Sequence, residues 1–116
     1  MSELAELAIE RHGELVVATV TGELDVSVAP RMGDQIGEAV PTEARALVVD
    51  FSELEFIDSS GVAMLFGLVR RLGSRRQDLH VVAPAGRPVA RVLELVDFGK
   101  AARLHSELDS ALAEAG

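Results

Sequence analysis

The segment of this chain that most constrains its fold is a nearly uninterrupted apolar run at residues 46–51, ALVVDF. A run this short and rich in valine is typical of a β-strand, and its lack of polar alternation indicates that both faces are covered. Residues 15–20, LVVATV, and residues 79–83, LHVVA, are further runs of strand length. The sequence therefore predicts a sheet with buried inner strands.

Helical patterns alternate with these strands. Apolar residues at roughly helical spacing occupy residues 28–40, 62–72, 89–96 and 108–112. Ser27 and Ser106 are candidate N-caps for the first and the last of these helices. Two short strands joined at Gly13 form a predicted hairpin, residues 52–58 a connector, and residues 102–105 a brief final strand.

Strands that alternate with helices imply parallel neighbours joined by right-handed crossovers. We therefore expect an α/β fold: a single-layer mixed sheet of four to five strands, made of the N-terminal hairpin plus parallel strands, packed with about four helices. The length of 116 residues predicts one domain spanning residues 1–116. An apolar content of 48% is too high for a disordered chain.

The composition argues against several classes of function. The formal net charge of −8 repels DNA, RNA and anionic lipid, because nucleic-acid affinity depends on basic residues that neutralise phosphates. The absence of cysteine excludes disulfides, thiol nucleophiles and zinc-thiolate sites. No apolar stretch approaches the roughly 20 residues of a membrane helix, and residues 1–10 lack the pattern of a signal peptide. We expect a cytoplasmic protein with no direct nucleic-acid partner and no membrane insertion.

Three polar or glycine-containing segments follow predicted strands: GELD at residues 22–25, DSSG at 58–61 and APAG at 83–86. Because ligands and partners gather at the carboxyl ends of parallel strands, these segments are expected along one rim of the sheet. DSSG places a carboxylate and two hydroxyls at the start of a strongly apolar helix. Those groups can cap the helix, or the helix N-terminus can receive a phosphate carried by a serine, and the two interpretations are compatible.

Catalytic and metal chemistry have little support in the sequence. A serine-hydrolase elbow needs glycine two residues before the serine, where this chain has Ile57 or Asp58. The histidines His12, His80 and His105 are more readily explained as structural or solvated residues than as members of a triad. No His, Asp and Glu residues stand at metal-ligand spacing, and the phosphate-loop pattern is absent. We therefore expect no catalytic residue, no metal ion and no cofactor.

Two segments carry a family resemblance. Residues 22–25, GELD, followed by a predicted helix, resemble the early signature of STAS domains. Residues 50–61, DFSELEFIDSSG, resemble the central signature of the same family and are the more specific of the two. The distance between the segments and the order of elements also match, so the resemblance covers nearly the whole chain and implies a single STAS domain.

The resemblance implies a regulatory role. In anti-sigma factor antagonists of this family, the first serine of the motif, here Ser59, accepts phosphate from an anti-sigma factor that is itself a serine kinase, a GHKL-type ATPase. The unphosphorylated antagonist binds that kinase and frees the sigma factor, and a serine phosphatase reverses the modification. The resemblance also implies that Asp25 lies beside the serine, whose loop is shaped by Asp58, Ser60 and Gly61. These five residues form the expected partner-binding set.

On this interpretation the kinase supplies ATP and catalysis, so the chain is not an enzyme. One alternative is a STAS subunit of another assembly, such as a stress-signalling scaffold or a lipid-transport complex. A second alternative is a small hydrolase that uses Ser59 as its nucleophile.

Overall fold

One mixed sheet and four helices make up residues 5–116, the part of the chain that this computed structural model describes. The strands are β1 (Ala5–His12), β2 (Leu15–Leu24), β3 (Ala46–Asp50), β4 (Leu54–Ile57), β5 (Asp78–Val82) and β6 (Arg103–His105). The helices are α1 (Ala29–Ala39), α2 (Ser59–Gly73), α3 (Pro88–Leu95) and α4 (Leu108–Ala115), with a single 3-10 turn at Phe98–Lys100. The first four residues of the predicted domain lie outside the described residues.

The sheet has the order β1-β2-β3-β5-β6, with β4 paired to β2. β1 runs antiparallel to β2, and the chain reverses at Gly13, whose φ of 65° suits glycine. The other pairs are parallel. The ten-residue strand β2 pairs with β3 through its first half and with β4 through its end. The α/β class, the hairpin and the parallel strands are therefore confirmed, with six strands instead of four to five.

The extra strand, β4, lies within the segment 52–58 that the sequence predicts as a connector. The Asp50 carboxylate accepts hydrogen bonds from the Ser52 N–H, at 2.9 Å, and from the Ser52 hydroxyl, closing a tight turn after β3. The chain then resumes beside β2 with Leu54 and Ile57 buried and the two residues between them exposed. The connector prediction was wrong because residues 54–57, buried only at their two ends, show neither the polar–apolar alternation nor the continuous apolar run that indicates a strand.

Alternate residues of the inner strands face two separate apolar layers. One layer packs against α1, α2 and α3 and includes Val16, Ala18, Leu47, Val49, Leu79 and Val81. The other packs against α4 and consists of Leu15, Val17, Ala46, Val48, Val82, Ala111 and Ala115. The prediction that the strand within residues 46–51 is covered on both faces is confirmed.

The helix starts differ from two of the predicted caps. α1 begins at Ala29 after Val28, and Ser27 donates its hydroxyl to Asp25 Oδ1 at 2.6 Å instead of capping the helix. Ser106 stands one residue before Glu107, the N-cap position of α4, and the helix has no side-chain cap. Both predictions were wrong because each serine lies outside the N-cap position. Within residues 5–116, no helix combines the length and apolar character needed to cross a bilayer.

Candidate functional site

The ends of two parallel strands bring two of the polar segments together. Leu24, the last residue of β2, pairs with Ile57, the last residue of β4. The Asp58 N–H then donates a hydrogen bond to the Leu24 carbonyl at 3.2 Å. This bond holds the start of α2 against the residues that precede α1, so the GELD and DSSG segments share one edge of the sheet.

Asp58 is the N-cap of α2. Its backbone is extended, and its Oδ1 accepts hydrogen bonds from the N–H groups of Ser60, at 2.8 Å, and Gly61, at 3.1 Å. The capping interpretation is confirmed for this residue. Because these two N–H groups already have a partner, they are not free to receive a phosphate while the cap is intact. A phosphate at this helix start would interact with the helix dipole and also with the Asp58 carboxylate.

The two serines of the motif occupy different environments. Ser59 is the first residue of α2 and is exposed, whereas Ser60 is half-buried and lines a groove beside the helix. A modifying enzyme therefore reaches the Ser59 hydroxyl more easily than that of Ser60. The role of Ser59 as phosphoacceptor stays a prediction.

Gly61 permits a close approach between α2 and the strand ends. A Cβ atom at this position would lie 2.5 Å from Ile57 Cγ1 and 3.2 Å from Leu24 Cγ, both in buried side chains. The first of these distances is too short for any real contact. Gly61 therefore lets the first turn of α2, and with it Ser59, sit directly on the ends of β2 and β4.

Asp25 organises the turn that leads into α1. Its Oδ1 accepts hydrogen bonds from the N–H of Ser27 at 2.9 Å and from the Ser27 hydroxyl, while its carbonyl accepts from the Ala29 N–H at 2.8 Å. The Asp25 side chain is only partly buried. The structure thus places Asp25 directly after Leu24, the residue that Asp58 contacts.

The third predicted segment, residues 83–86, follows β5, which runs parallel to β3. It is tied to the loop after β3, because Arg87 Nη1 donates a hydrogen bond to the Ser52 carbonyl at 2.9 Å. Gly86 has a φ of +84°, which glycine adopts without strain. These strand ends share one edge of the sheet, as expected for parallel strands.

Exposed apolar side chains stand next to this site. Val26 follows Asp25 and is 67% exposed, and Phe56 lies two residues before Asp58 and is 47% exposed. Exposed aromatic and aliphatic groups at a rim of charged residues are typical of interaction surfaces. Sequence reasoning missed both residues, since nothing in the local pattern of residues 54–57 shows that Phe56 faces solvent while Leu54 and Ile57 are buried.

A groove between α1 and α2 extends from Ser60 along the helices. Its volume is about 400 Å³, and it is lined mainly by small or apolar residues: Ala29, Pro30, Gly33, Asp34, Ser60, Ala63, Met64, Gly67, Leu68 and Arg71. Gly33 keeps the helices close, since a Cβ there would lie 2.8 Å from Met64 Cγ. The groove thus begins at Ser60 and continues between the two helices towards Arg71.

The histidines form their contacts elsewhere. The rings of His80 and His105 lie 3.0 Å apart at the atoms Nδ1 and Nε2, and His12 contacts Glu10 at 3.1 Å. Burial lowers the pKa of His80, and the neighbouring His105 lowers it further. Among residues 5–116, no histidine is hydrogen-bonded to Ser59 or Ser60. The described histidines are therefore not placed as bases for these two serines.

The class of this protein is defined by a mixed sheet with an Asp-Ser-Ser-Gly segment that starts a helix at the carboxyl ends of the parallel strands. The family model described as "Mlab, STAS domain" matches residues 7–108, most of the chain. The chain belongs to the STAS domain family.

Its relatives include proteins named for sigma-factor regulation. The anti-sigma-F factor antagonist RsfB of Mycobacterium tuberculosis is 32% identical over 106 residues, which cover 91% of this chain and 85% of that protein. The crystal structure of an anti-sigma factor antagonist from Mycobacterium paratuberculosis has a TM-score of 0.85 at 32% identity, covering 96% of this chain and 93% of that one. The fold is also similar to that of phosphorylated SpoIIAA from Bacillus, with a TM-score of 0.69 at 24% identity over 96% of this chain and 100% of that one.

Proposed function

We propose that this chain is an anti-sigma factor antagonist whose partner binding is switched off by phosphorylation at Ser59. The observation that carries the proposal is the exposed Ser59, held at the start of α2 by the Asp58 cap and the close packing of Gly61. Relatives that share about a third of its residues are named anti-sigma factor antagonists, which supports the same role here.

The unphosphorylated protein binds an anti-sigma factor serine kinase of the GHKL type in the cytoplasm and thereby releases the sigma factor. The contact surface consists of the partner-binding set Asp25, Asp58, Ser59, Ser60 and Gly61, together with the exposed side chains of Val26 and Phe56. An apolar contact surrounded by carboxylates fits a partner that offers both apolar and basic groups.

Phosphorylation would weaken this contact in two ways. The phosphate carries roughly 1.5 to 2 negative charges at neutral pH and occupies the centre of the proposed surface. It follows Asp58 directly, at the edge of the sheet where Asp25 also lies, on a chain whose formal net charge is already −8. A surface that the kinase recognises would thus become bulkier and more negative, which favours dissociation.

The chain contributes only the acceptor hydroxyl to this chemistry. The Ser59 oxygen forms a bond to the γ-phosphorus of ATP, the bond to ADP breaks, and the serine proton passes to a base of the kinase. A serine phosphatase later hydrolyses the phosphate ester with water. Because the Asp58 carboxylate is engaged as a cap and the described histidines contact other residues, the hydrolase alternative lacks a base beside Ser59.

The test is phosphorylation by the anti-sigma kinase of the same cell, followed by peptide mapping. The wild type is expected to gain one phosphate on Ser59, Ser59→Ala none, and the matched control Ser60→Ala one. A phosphate on Ser60, or none on any residue, would contradict the proposal. Capture of a scaffold or a transporter assembly in place of a GHKL-type kinase would favour the alternative STAS role.

A further inference from the structure

Three metal-ligating side chains from three separate elements converge away from Ser59. His80 lies on β5, His105 on β6 and Glu114 on α4. The distance from His80 Nδ1 to His105 Nε2 is 3.0 Å, and Glu114 Oε1 lies 3.1 Å from His105 Nε2 and 3.7 Å from His80 Nδ1. One potential ligand atom of each residue therefore lies within 3.7 Å of the other two.

The topology explains why sequence spacing did not predict this group. In the parallel pairing of β5 and β6, His80 is opposite Arg103, and His105 follows two residues later on the same face. That face is the one covered by α4, since the neighbouring Val82 packs with Ala111 and Ala115. Glu114 reaches the two rings from the last turn of α4. His80 and His105 are 25 positions apart in the sequence, and His105 and Glu114 are nine apart. The sheet register and one helix bring them together.

The distances suit a metal ion. A triangle with sides of 3.0, 3.1 and 3.7 Å has a circumradius of about 1.9 Å, so a point about 0.7 Å out of its plane lies about 2.0 Å from all three atoms. This is the bond length of Zn²⁺ to imidazole nitrogen and carboxylate oxygen. Two histidines and one glutamate are also a recurrent zinc ligand set.

The surroundings hold the ligands in place. Arg103 Nη1 contacts Glu114 Oε2 at 2.7 Å, which orients the carboxylate and leaves Oε1 directed at the rings. The His80 side chain is only 3% exposed and that of His105 11%, whereas Glu114 is 44% exposed. Outer contacts of this kind fix ligand orientation in metal sites, and the exposed carboxylate gives an ion access from solvent.

Hydrogen bonding can also link the three atoms. With a proton on His105 Nε2, for example, His80 Nδ1 at 3.0 Å and Glu114 Oε1 at 3.1 Å compete for it. A cation satisfies the lone pairs of all three atoms at once.

We propose that His80, His105 and Glu114 bind one divalent transition-metal ion, with zinc as the best match to the ligand types and distances. The ion joins β5, β6 and α4, and so it fastens the helix that covers one face of the sheet. The site shares no residue with the partner-binding set, so a result that refutes one of the two proposals does not refute the other.

The experiment uses the full chain, stripped with a chelator and dialysed, and titrated with Zn²⁺ in a calorimeter. One ion per chain is expected, and the melting temperature should rise by about 10 °C at a zinc concentration 100-fold above the dissociation constant. His105→Gln and Glu114→Gln should each weaken binding by at least about 10–100-fold. The matched control is His12→Gln, which removes the exposed His12–Glu10 pair and should bind zinc as the wild type does.

Zinc binding without a melting shift, unchanged affinity in both ligand variants, or loss of binding in His12→Gln would each overturn the proposal. Circular dichroism in chelator establishes whether the variants are folded. If His105→Gln does not fold, the more exposed Glu114→Gln decides the matter. Absence of stoichiometric binding by the wild type refutes the site whatever the variants do.

Discussion

A phosphate on Ser59 would place its charge at the first residue of α2, next to the Asp58 cap. Attraction to the positive end of an exposed helix is worth about 0.3–1 kcal/mol. Repulsion between a phosphate of about 1.5 to 2 charges and one carboxylate about 6 Å away in water is about 1.0–1.4 kcal/mol, and salt reduces it further. For the adjacent Asp58 carboxylate, the attraction to the helix and the repulsion from the carboxylate are of similar size. The free energy of unfolding should therefore change by less than about 1 kcal/mol.

Such a small change corresponds to a shift of the melting temperature of no more than about 5 °C for a domain of this size. Partner binding should respond far more strongly, because the phosphate occupies the centre of the proposed surface. A loss of about 3 kcal/mol at the interface weakens affinity by more than a hundredfold. The expected signature is a preserved fold together with a lost partner.

The assay compares phosphorylated and unmodified protein by thermal melting and by calorimetric titration against the anti-sigma partner. Ser60→Ala, unphosphorylated and phosphorylated, controls for the neighbouring hydroxyl and should show the same affinity loss. A melting temperature lowered by well over 5 °C would show that the phosphate acts by disrupting the Asp58 cap and the start of α2. Unchanged affinity would refute the switch at Ser59.

Further substitutions test how the site is built. Gly61→Ala should destabilise the protein by about 1–3 kcal/mol in urea unfolding, because its Cβ would collide with Ile57. The control Gly73→Ala, in the same helix, meets no atom within 4 Å and should be neutral or stabilising. Equal effects of the two substitutions would contradict the packing argument. Asp58→Ala should cost about 0.5–2 kcal/mol through loss of the cap, and Asp58→Asn should retain most of that stability; equal losses in urea unfolding would show that capping is not the role of the side chain. Phe56→Ala should change the free energy of unfolding by no more than about 0.5 kcal/mol and should weaken binding to the anti-sigma partner at least tenfold in calorimetry. The control Ile9→Ala, on β1, should leave the affinity unchanged. An unchanged affinity of Phe56→Ala would show that Phe56 is not part of the interface.

Much of the fold follows from local patterns. β2, β3 and β5 are predictable because apolar, β-branched runs of strand length are bounded by glycine, proline or polar residues. β4 escapes prediction because its pairing with β2 depends on the turn that Asp50 and Ser52 close, and on a register shift after Gly22. Neither feature has a periodic signal. It was therefore easier to predict that a strand exists than to predict that β2 pairs with two successive strands, β3 and β4, along one edge.

The candidate site shows the same division. The Asp58 cap is predictable because a carboxylate immediately before an apolar helix satisfies its first N–H groups. Ser27 misled the prediction of α1, since its hydroxyl bonds to Asp25 two residues earlier. The roles of Asp25 and Ser59 in partner binding rest on the family resemblance and stay predictions. The group of His80, His105 and Glu114 had no sequence signal, because strand register and helix packing alone bring its members together.

The uneven covering of the sheet has a consequence for local opening. One face is protected by three helices, whereas the other depends on the eight residues of α4. When α4 detaches transiently, the apolar side chains of Leu15, Val17, Val48 and Val82 meet water beside the edge strand β6. Short helices that bury little area are the first to exchange their amide hydrogens. The rate at which α4 detaches therefore determines how often these apolar side chains, next to the outer edge of β6, are exposed for self-association.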